Sequence, residues 1–143
     1  MNRDNGDEVV IYSVVASPGG HFTVVEWRVS RDTLEKQPRW DGFSSEAPLS
    51  AAKACTLALP RVKQRFPEVK EWSIASVNLA NLLRMPGYNS YPDIWCYRIH
   101  FTPKGKDSEA RHSFTEKDEL FSCNQVVLLD GTVVSSTIVT HAK

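Results

Sequence analysis

The chain has 143 residues, of which 41% are apolar, 24% charged and 10% aromatic. This length and apolar content suit one domain with a buried core and exclude a disordered tail, a coiled coil or a collagen-like repeat. Lys plus Arg and Asp plus Glu each number 17, so the net charge is zero, and we expect neither nucleic acid nor an anionic membrane as a partner.

Two apolar, β-branched runs follow a polar stretch, residues 1–8, which we expect to be flexible. The runs, 9–16 and 22–29, flank a Ser-Pro-Gly-Gly turn, and this arrangement predicts an antiparallel hairpin. The next segment, 30–47, carries proline, glycine and mixed charges and is predicted to be irregular.

One main helix is predicted between Ser50 and Phe66. Ser50 is a good N-cap, and the apolar residues after it recur every three or four positions, which gives the helix one buried stripe. Pro60 removes a backbone donor and collides with the preceding turn, so we expect a kink or a short break there. Arg61 and Arg65 belong to a basic cluster that we assign to the solvated side of the helix end.

Two strands are predicted in the middle of the chain. The segment 69–79 changes its apolar parity between Ile74 and Ala75, which predicts a β-bulge. The segment 94–101 alternates strictly, as a half-buried antiparallel strand does, so we expect one face inward against the helix and the other outward. The inward residues are Trp95, Tyr97, Ile99 and Phe101, and the outward residues are Cys96, Arg98 and His100.

A charged segment and a second hairpin end the chain. Residues 103–121 are rich in charged side chains and are expected to form a solvated excursion between strands. In the hairpin, a two-residue turn of Asp130 and Gly131 is predicted to place Leu128 opposite Val133. Both hairpin faces are apolar and the helix can cover only one, so the charged excursion, the segment 30–47 or a second copy of the chain must cover the other.

These elements predict a single α+β domain over residues 1–143. We expect an antiparallel sheet of five to six strands, ordered as a hairpin, the helix and four strands, packed on one main, Pro-kinked helix. The layout, the Trp-x-Tyr-x-Ile-x-Phe strand and the closing Val-Val-Leu-Leu-Asp-Gly-Thr-Val-Val hairpin resemble small cystatin-like and PepSY-type α+β domains over residues 48–140. The Gln-x-Val-x-Gly loop of inhibitory cystatins is absent, so the resemblance implies a fold but no site residues.

The cellular compartment stays open at this stage. No stretch approaches the roughly 20 apolar residues that cross a bilayer, so membrane insertion is not expected. Residues 1–8 lack the apolar region of a signal peptide, which predicts a cytoplasmic protein if Met1 is native and leaves export open if the chain was trimmed. The three cysteines allow at most one disulfide, unlike a disulfide-stapled secreted protein.

Catalytic and metal-binding motifs are missing from the sequence. No metal-ligand spacing, Gly-rich phosphate loop or Gly-x-Ser-x-Gly elbow occurs, so we predict neither a metal nor a cofactor. Cys96 and His100 are four residues apart on a predicted strand, about 13 Å, which is too far for a catalytic dyad. A thiol-dependent hydrolase, with Cys96 or Cys123 as its nucleophile, is therefore the least favoured function.

Two features are the candidate binding sites. Cys96, Arg98 and His100 form a polar row in which the Arg98 fork suits a carboxylate or phosphate, although a solvated face with Arg98 in a cross-strand ion pair explains the same pattern. The loop 84–93 presents Tyr88 and Tyr91 among Pro and Gly, a mixture typical of contact surfaces, or of a loop folded onto the sheet edge.

The leading functional hypothesis is a non-enzymatic binding or interaction module, with a protein partner or as a homodimer. The alternative is a small-molecule-binding or catalytic pocket between the helix and a curved sheet, lined by aromatic residues such as Trp72, Trp95 and Tyr97. That pocket requires a cavity of about 300 Å³ or more facing the helix.

Overall fold

The structure is a computed structural model that describes residues 8–16, 21–43, 46–82, 93–104 and 123–142. It is an α+β fold whose paired strands are antiparallel, as predicted. No helix within the described ranges is long and apolar enough to span a bilayer. The elements in chain order are β1 (Glu8–Ala16), β2 (His21–Ser30), α1 (Arg31–Glu35), α2 (Ala51–Arg65), β3 (Trp72–Asn81), β4 (Trp95–Pro103), β5 (Asn124–Leu128), β6 (Val133–Val134) and β7 (Ser136–Ala142).

The strands form two sheets, so the predicted single sheet of five to six strands is wrong. One sheet has the order β1-β2-β7 and the other the order β3-β4-β5-β6. Two consecutive strands link the sheets: Val134 of β6 pairs with Val126 in the four-stranded sheet, and Ser136 of β7 pairs with Trp27 in the three-stranded one. The chain changes sheets at Ser135, which belongs to no strand.

Three layers result, with the four-stranded sheet in the middle. Between α2 and this sheet lies one core, to which the helix contributes its buried stripe and β4 its large rings; its buried members include Ala54, Ala58, Val62, Tyr97, Ile99, Phe101, Val127 and Leu129. Between the two sheets lies a second core; its buried members include Val9, Ile11, Val25, Trp27, Val29, Cys96, Val126, Leu128 and Val134.

The main helix begins where the sequence predicts. The Ser50 hydroxyl accepts a hydrogen bond from the Lys53 N–H at 3.1 Å, and α2 then continues to Arg65. The predicted break at Pro60 is absent, and the predicted kink is not confirmed. Pro60 has no N–H to donate to the Thr56 carbonyl, but both residues are exposed, so water can hydrate that carbonyl. The buried stripe of the helix is not interrupted.

The segment predicted to be irregular contains the short helix α1. Ser30 caps it, since its hydroxyl accepts a hydrogen bond from the Thr33 N–H at 3.1 Å, and Leu34 is fully buried. Five residues are too few to show a helical period in the sequence, so only the cap indicates this helix.

The closing hairpin is offset by one residue from its predicted register. Val127 pairs with Val133, whereas the prediction placed Leu128 there. The turn is one residue longer than predicted: the Leu128 N–H donates to the Thr132 carbonyl at 2.9 Å, and Gly131 has a φ of 95°. A glycine in this left-handed conformation is typical of three-residue hairpin loops. In this register Leu129 is buried in the core below α2.

The middle strands otherwise follow the sequence pattern. The register of β3 against β4 shifts between Ile74 and Ser76, which confirms the predicted bulge. The first hairpin is also confirmed, with Val25 and Trp27 buried on one face of β2 and Glu26 and Arg28 forming an ion pair at 2.7 Å on the other. The extent of the domain and the charged excursion remain predictions, because residues 105–122 lie outside the described ones.

Candidate functional site

The predicted outward row of β4 lies under the three-stranded sheet. Cys96 is fully buried in the core between the two sheets, so the expectation that it faces outward is wrong. Arg98 is half-buried, and its guanidinium carbon lies 4.4 Å from the centre of the Tyr12 ring on β1. The prediction placed the first hairpin in the same sheet, whereas this hairpin folds over the second face of that sheet.

Arg98 is held by an aromatic ring where the sequence suggested an ion pair or a ligand. A guanidinium this close to a tyrosine ring makes a favourable cation–π contact. Its Nε is buried and has no hydrogen-bond acceptor among the described residues. His100, further along the strand, has its Nδ1 3.0 Å from the Oδ1 of Asn124. Each side chain of the row therefore contacts other protein groups: Cys96 lies beside Arg98, Arg98 stacks on Tyr12, and His100 faces Asn124.

The thiol of Cys96 is poorly suited to nucleophilic chemistry. Burial raises its pKa to about 11, even though the neighbouring Arg98 guanidinium lowers it in part. A thiol with this pKa is protonated at neutral pH, and the thiolate is the reactive form. Cys123 is also buried, with 1% of its surface exposed. The described geometry therefore gives the thiol-dependent hydrolase hypothesis no support.

The remaining sequence-predicted binding residues cannot be placed. Tyr88 and Tyr91 lie outside the described residues, so the contact surface on the loop 84–93 stays a prediction. A group of three potential metal ligands is not found in the part of the chain that the structure describes.

The aromatic residues proposed for a pocket lining pack against neighbouring segments of the chain. The Tyr97 hydroxyl donates a 2.6 Å hydrogen bond to the Leu49 carbonyl, which ties the start of α2 to β4. The Trp95 indole N–H donates to the Trp40 carbonyl at 2.7 Å, and the two rings lie 5.0 Å apart. Trp72 packs beside Phe66, at a ring separation of 6.0 Å. None of these three aromatic residues lines the cleft found among the described residues, so a pocket between them stays a prediction.

A cleft of about 380 Å³ lies elsewhere between helix and sheet, beside the last two turns of α2. The helix contributes arginine and glutamine side chains to its lining, and the bend between β6 and β7 contributes serine side chains. No acidic side chain is among the described lining residues, which are Arg61, Gln64, Arg65, Gln125, Val134, Ser135 and Ser136.

The cleft exists because the chain leaves the four-stranded sheet after β6. Val134 is the final residue paired with β5, and the chain then turns through Ser135 to join β2. The helix end thus projects past the pairing of β5 with β6 and over Gln125, which points to the helix side because it pairs with Ile99. Gln125 is 6% exposed and forms a polar floor.

The position of Arg61 is fixed by the same bend. Its Nη2 donates a 3.1 Å hydrogen bond to the Val133 carbonyl, which uses one of the five guanidinium donors. Arg65 lies one helical turn further on, on the same face of α2. Sequence reasoning assigned both arginines to a solvated helix face. Their four-residue spacing was visible, but the cleft depends on where the chain leaves the sheet, which the sequence does not show.

Comparisons with known proteins give no assignment. No protein-family model, no curated protein and no solved structure matches the chain. The resemblance to cystatin-like and PepSY-type domains is therefore not supported, and the two-sheet architecture departs from the single sheet that it implies.

Proposed function

We propose that the protein is a non-enzymatic binding module that takes a small anionic ligand, with a phosphate or carboxylate group, in the cleft between α2 and the strand bend. The observation that carries this proposal is the lining itself: two arginines, two glutamines and two serines around about 380 Å³, with no acidic side chain among the described lining residues. This retains the leading hypothesis of a binding module and moves the pocket of the alternative hypothesis to the end of the helix.

The chemistry of the lining favours an oxyanion. Planar guanidinium groups bind carboxylate and phosphate through two parallel hydrogen bonds, and hydrogen bonds to charged groups are stronger than neutral ones. The Gln64 amide and the Ser135 and Ser136 hydroxyls can add donors around the same group. The volume falls in the range of about 300–1,000 Å³ that small-molecule sites occupy.

The same lining favours binding without catalysis. Arginine stays protonated, an amide does not titrate, and a serine hydroxyl needs an adjacent base before it becomes a nucleophile. The described lining offers no histidine, cysteine or carboxylate for that task. A bound ligand would therefore be held and oriented without a group that transfers a proton.

Calorimetric titration of the intact protein with phenyl phosphate tests the proposal, with phenol as the uncharged comparison. We expect saturable binding of phenyl phosphate, no binding of phenol, and weaker binding as salt rises, because exposed charges are screened. Arg61→Gln and Arg65→Gln should each lower the affinity about tenfold, since a charge-assisted hydrogen bond contributes about 1.5 kcal/mol or more.

Lys63→Gln is the matched control for these variants. It removes one positive charge from an exposed position on the same helix, but Lys63 does not line the cleft. Its affinity should stay within about twofold of the unaltered chain, because a charge outside the site acts only through screened, long-range attraction. Absence of binding, or an equal loss in the Lys63 variant and the two arginine variants, would refute the cleft as an anion site.

A further inference from the structure

Among the described residues, nothing protects the outer edge of the edge strand β3 in the way that exposed edges are usually protected. No described strand pairs with its outer edge, because β3 ends the order β3-β4-β5-β6. Proteins normally guard such an edge with charged side chains or proline, since unpaired backbone groups attract another strand. The ten residues of β3 include neither, and Ile74 is 45% exposed.

The side chains of β3 divide into two faces that suit a copy of the same strand. Val77 and Leu79 lie on the helix side, because they pair with Ile99 and Tyr97 of β4. They are only partly buried and lie at the margin of the core below α2. Asn78 lies on the other face, where it is exposed.

We infer that the outer edge of β3 pairs with the same edge of a second copy of this chain, around a two-fold axis at Asn78. Antiparallel pairing about that residue places Val77 opposite Leu79 of the second copy, and Ser76 opposite Ala80. Each apolar side chain then meets an apolar one on the helix side, and each small side chain meets a small or polar one on the other. The two four-stranded sheets become one continuous sheet of eight strands.

Charge and regularity favour this edge over β1, one of the two edge strands of the other sheet. β1 begins with the exposed Glu8, and its Tyr12 ring is covered by the Arg98 guanidinium. β3 carries no charge that would attract a strand of a different protein. Its alternating apolar and small or polar side chains, in contrast, match those of a second copy of β3. The bulge near Ala75 leaves the residues after it, from Ser76 to Asn81, as an uninterrupted stretch for pairing. The inference stands on β3 alone and does not depend on the proposed anion site.

The expected dimer is weak. Pairing of residues 76–80 in both copies makes about four to six backbone hydrogen bonds, because alternate residues of an antiparallel pair exchange two each. An interface confined to strand edges lies at the small end of specific interfaces, below about 1,200 Å². Sedimentation velocity should therefore show a reversible shift from monomer to dimer between about 10 μM and 1 mM protein.

Cysteine cross-linking of the full chain tests the register directly. Asn78→Cys places two thiols opposite each other on the axis, close enough for a disulfide under mild oxidation. Ser76→Cys is the matched control on the same strand: its two thiols would lie about 13 Å apart, because residues 76 of the two copies are four positions apart along the strands. Ser13→Cys, exposed on β1, reports on the other edge.

We expect covalent dimer from Asn78→Cys only, identified by the disulfide-linked peptide in mass spectrometry. A chain that stays monomeric throughout the concentration series would overturn the inference. Cross-linking of Ser13→Cys instead, or of Ser76→Cys as readily as Asn78→Cys, would also overturn it, since either result places the contact elsewhere. Circular dichroism of each variant confirms that the exposed substitutions leave the monomer folded.

Discussion

Alkylation of Cys96 with iodoacetamide in the native protein is a direct test of the layer arrangement. Cys96 lies on the face of β4 that the first hairpin covers, and none of its surface is exposed. If that hairpin instead extended the same sheet, as the sequence suggested, the thiol would lie on an open face. The two arrangements therefore predict very different reaction rates for one atom.

The size of the difference follows from the pKa alone, before access is considered. Burial raises the pKa of Cys96 to about 11, so at pH 8 only about one thiol in a thousand is ionised. A cysteine in the unfolded chain has a pKa of about 8.5, so roughly a quarter is thiolate at that pH. Since the thiolate is the nucleophile, its smaller population slows native Cys96 about 200-fold; the higher nucleophilicity of a more basic thiolate recovers about tenfold of this, and the lack of access to the buried thiol slows the reaction further.

The rates are measured by quenching samples over time and quantifying each cysteine-containing peptide by mass spectrometry, in buffer and in denaturing urea. Cys55, half-buried on α2, is the internal comparison: burial raises its pKa too, but part of the side chain is accessible, so it should react sooner than Cys96. Native Cys96 reacting within about tenfold of its rate in urea would refute the burial of this face by the hairpin.

Two further predictions concern stability. Trp27 is 1% exposed between the sheets and its ring lies 5.1 Å from that of Tyr12, so Trp27→Ala should lower the free energy of unfolding by about 3–5 kcal/mol in urea titration; a loss below about 1 kcal/mol would contradict its place in the core. Burial alone would raise the pKa of Asp130, but hydrogen bonds from Thr132 and Gln37 lower it overall. A lowered pKa stabilises the fold above the unfolded value of about 3.9, and this contribution is lost as the pH falls through the folded value. Asp130→Asn should therefore flatten the fall in stability as the pH drops below about 4, and an unchanged slope would show that the carboxylate contributes nothing.

The sequence predicted those elements whose cause is local. Ser50 at the head of a periodic stripe predicted the start of α2, and strict alternation predicted which side chains of β4 face the helix. The parity change near Ile74 predicted the bulge in β3. Each depends on residues within a few positions of one another, where capping and side-chain period act.

The predictions that failed concern features that depend on contacts between distant segments. The polar Arg98 and His100 made one face of β4 look solvated, yet the buried Cys96 shares that face and Tyr12 covers part of it. The apolar residues on both faces of β5 indicated that each face packs against another part of the protein. They did not show that the first hairpin packs on the face opposite the helix. The hairpin register depended on one extra residue in the turn, which the Asp-Gly pair does not reveal.

The candidate cleft could not be predicted from the sequence for the same reason. Arg61 and Arg65 have the spacing of a helix face, which most often faces solvent. What makes them part of a site is the bend at Ser135, where the chain passes from β6 in one sheet to β7 in the other. Only the tertiary arrangement brings the helix end, the polar floor and the bend together.

Two-dimensional NMR of the isotopically labelled protein, titrated with phenyl phosphate, tests the central claim most directly because it reports both binding and location. We predict saturating shifts concentrated at the Arg61 and Arg65 side-chain N–H signals and at the amides of Gln125, Ser135 and Ser136, with the Arg98 signals unmoved. Shifts scattered over the surface without saturation, or centred on the β4 row, would contradict an anion-binding cleft at the helix end.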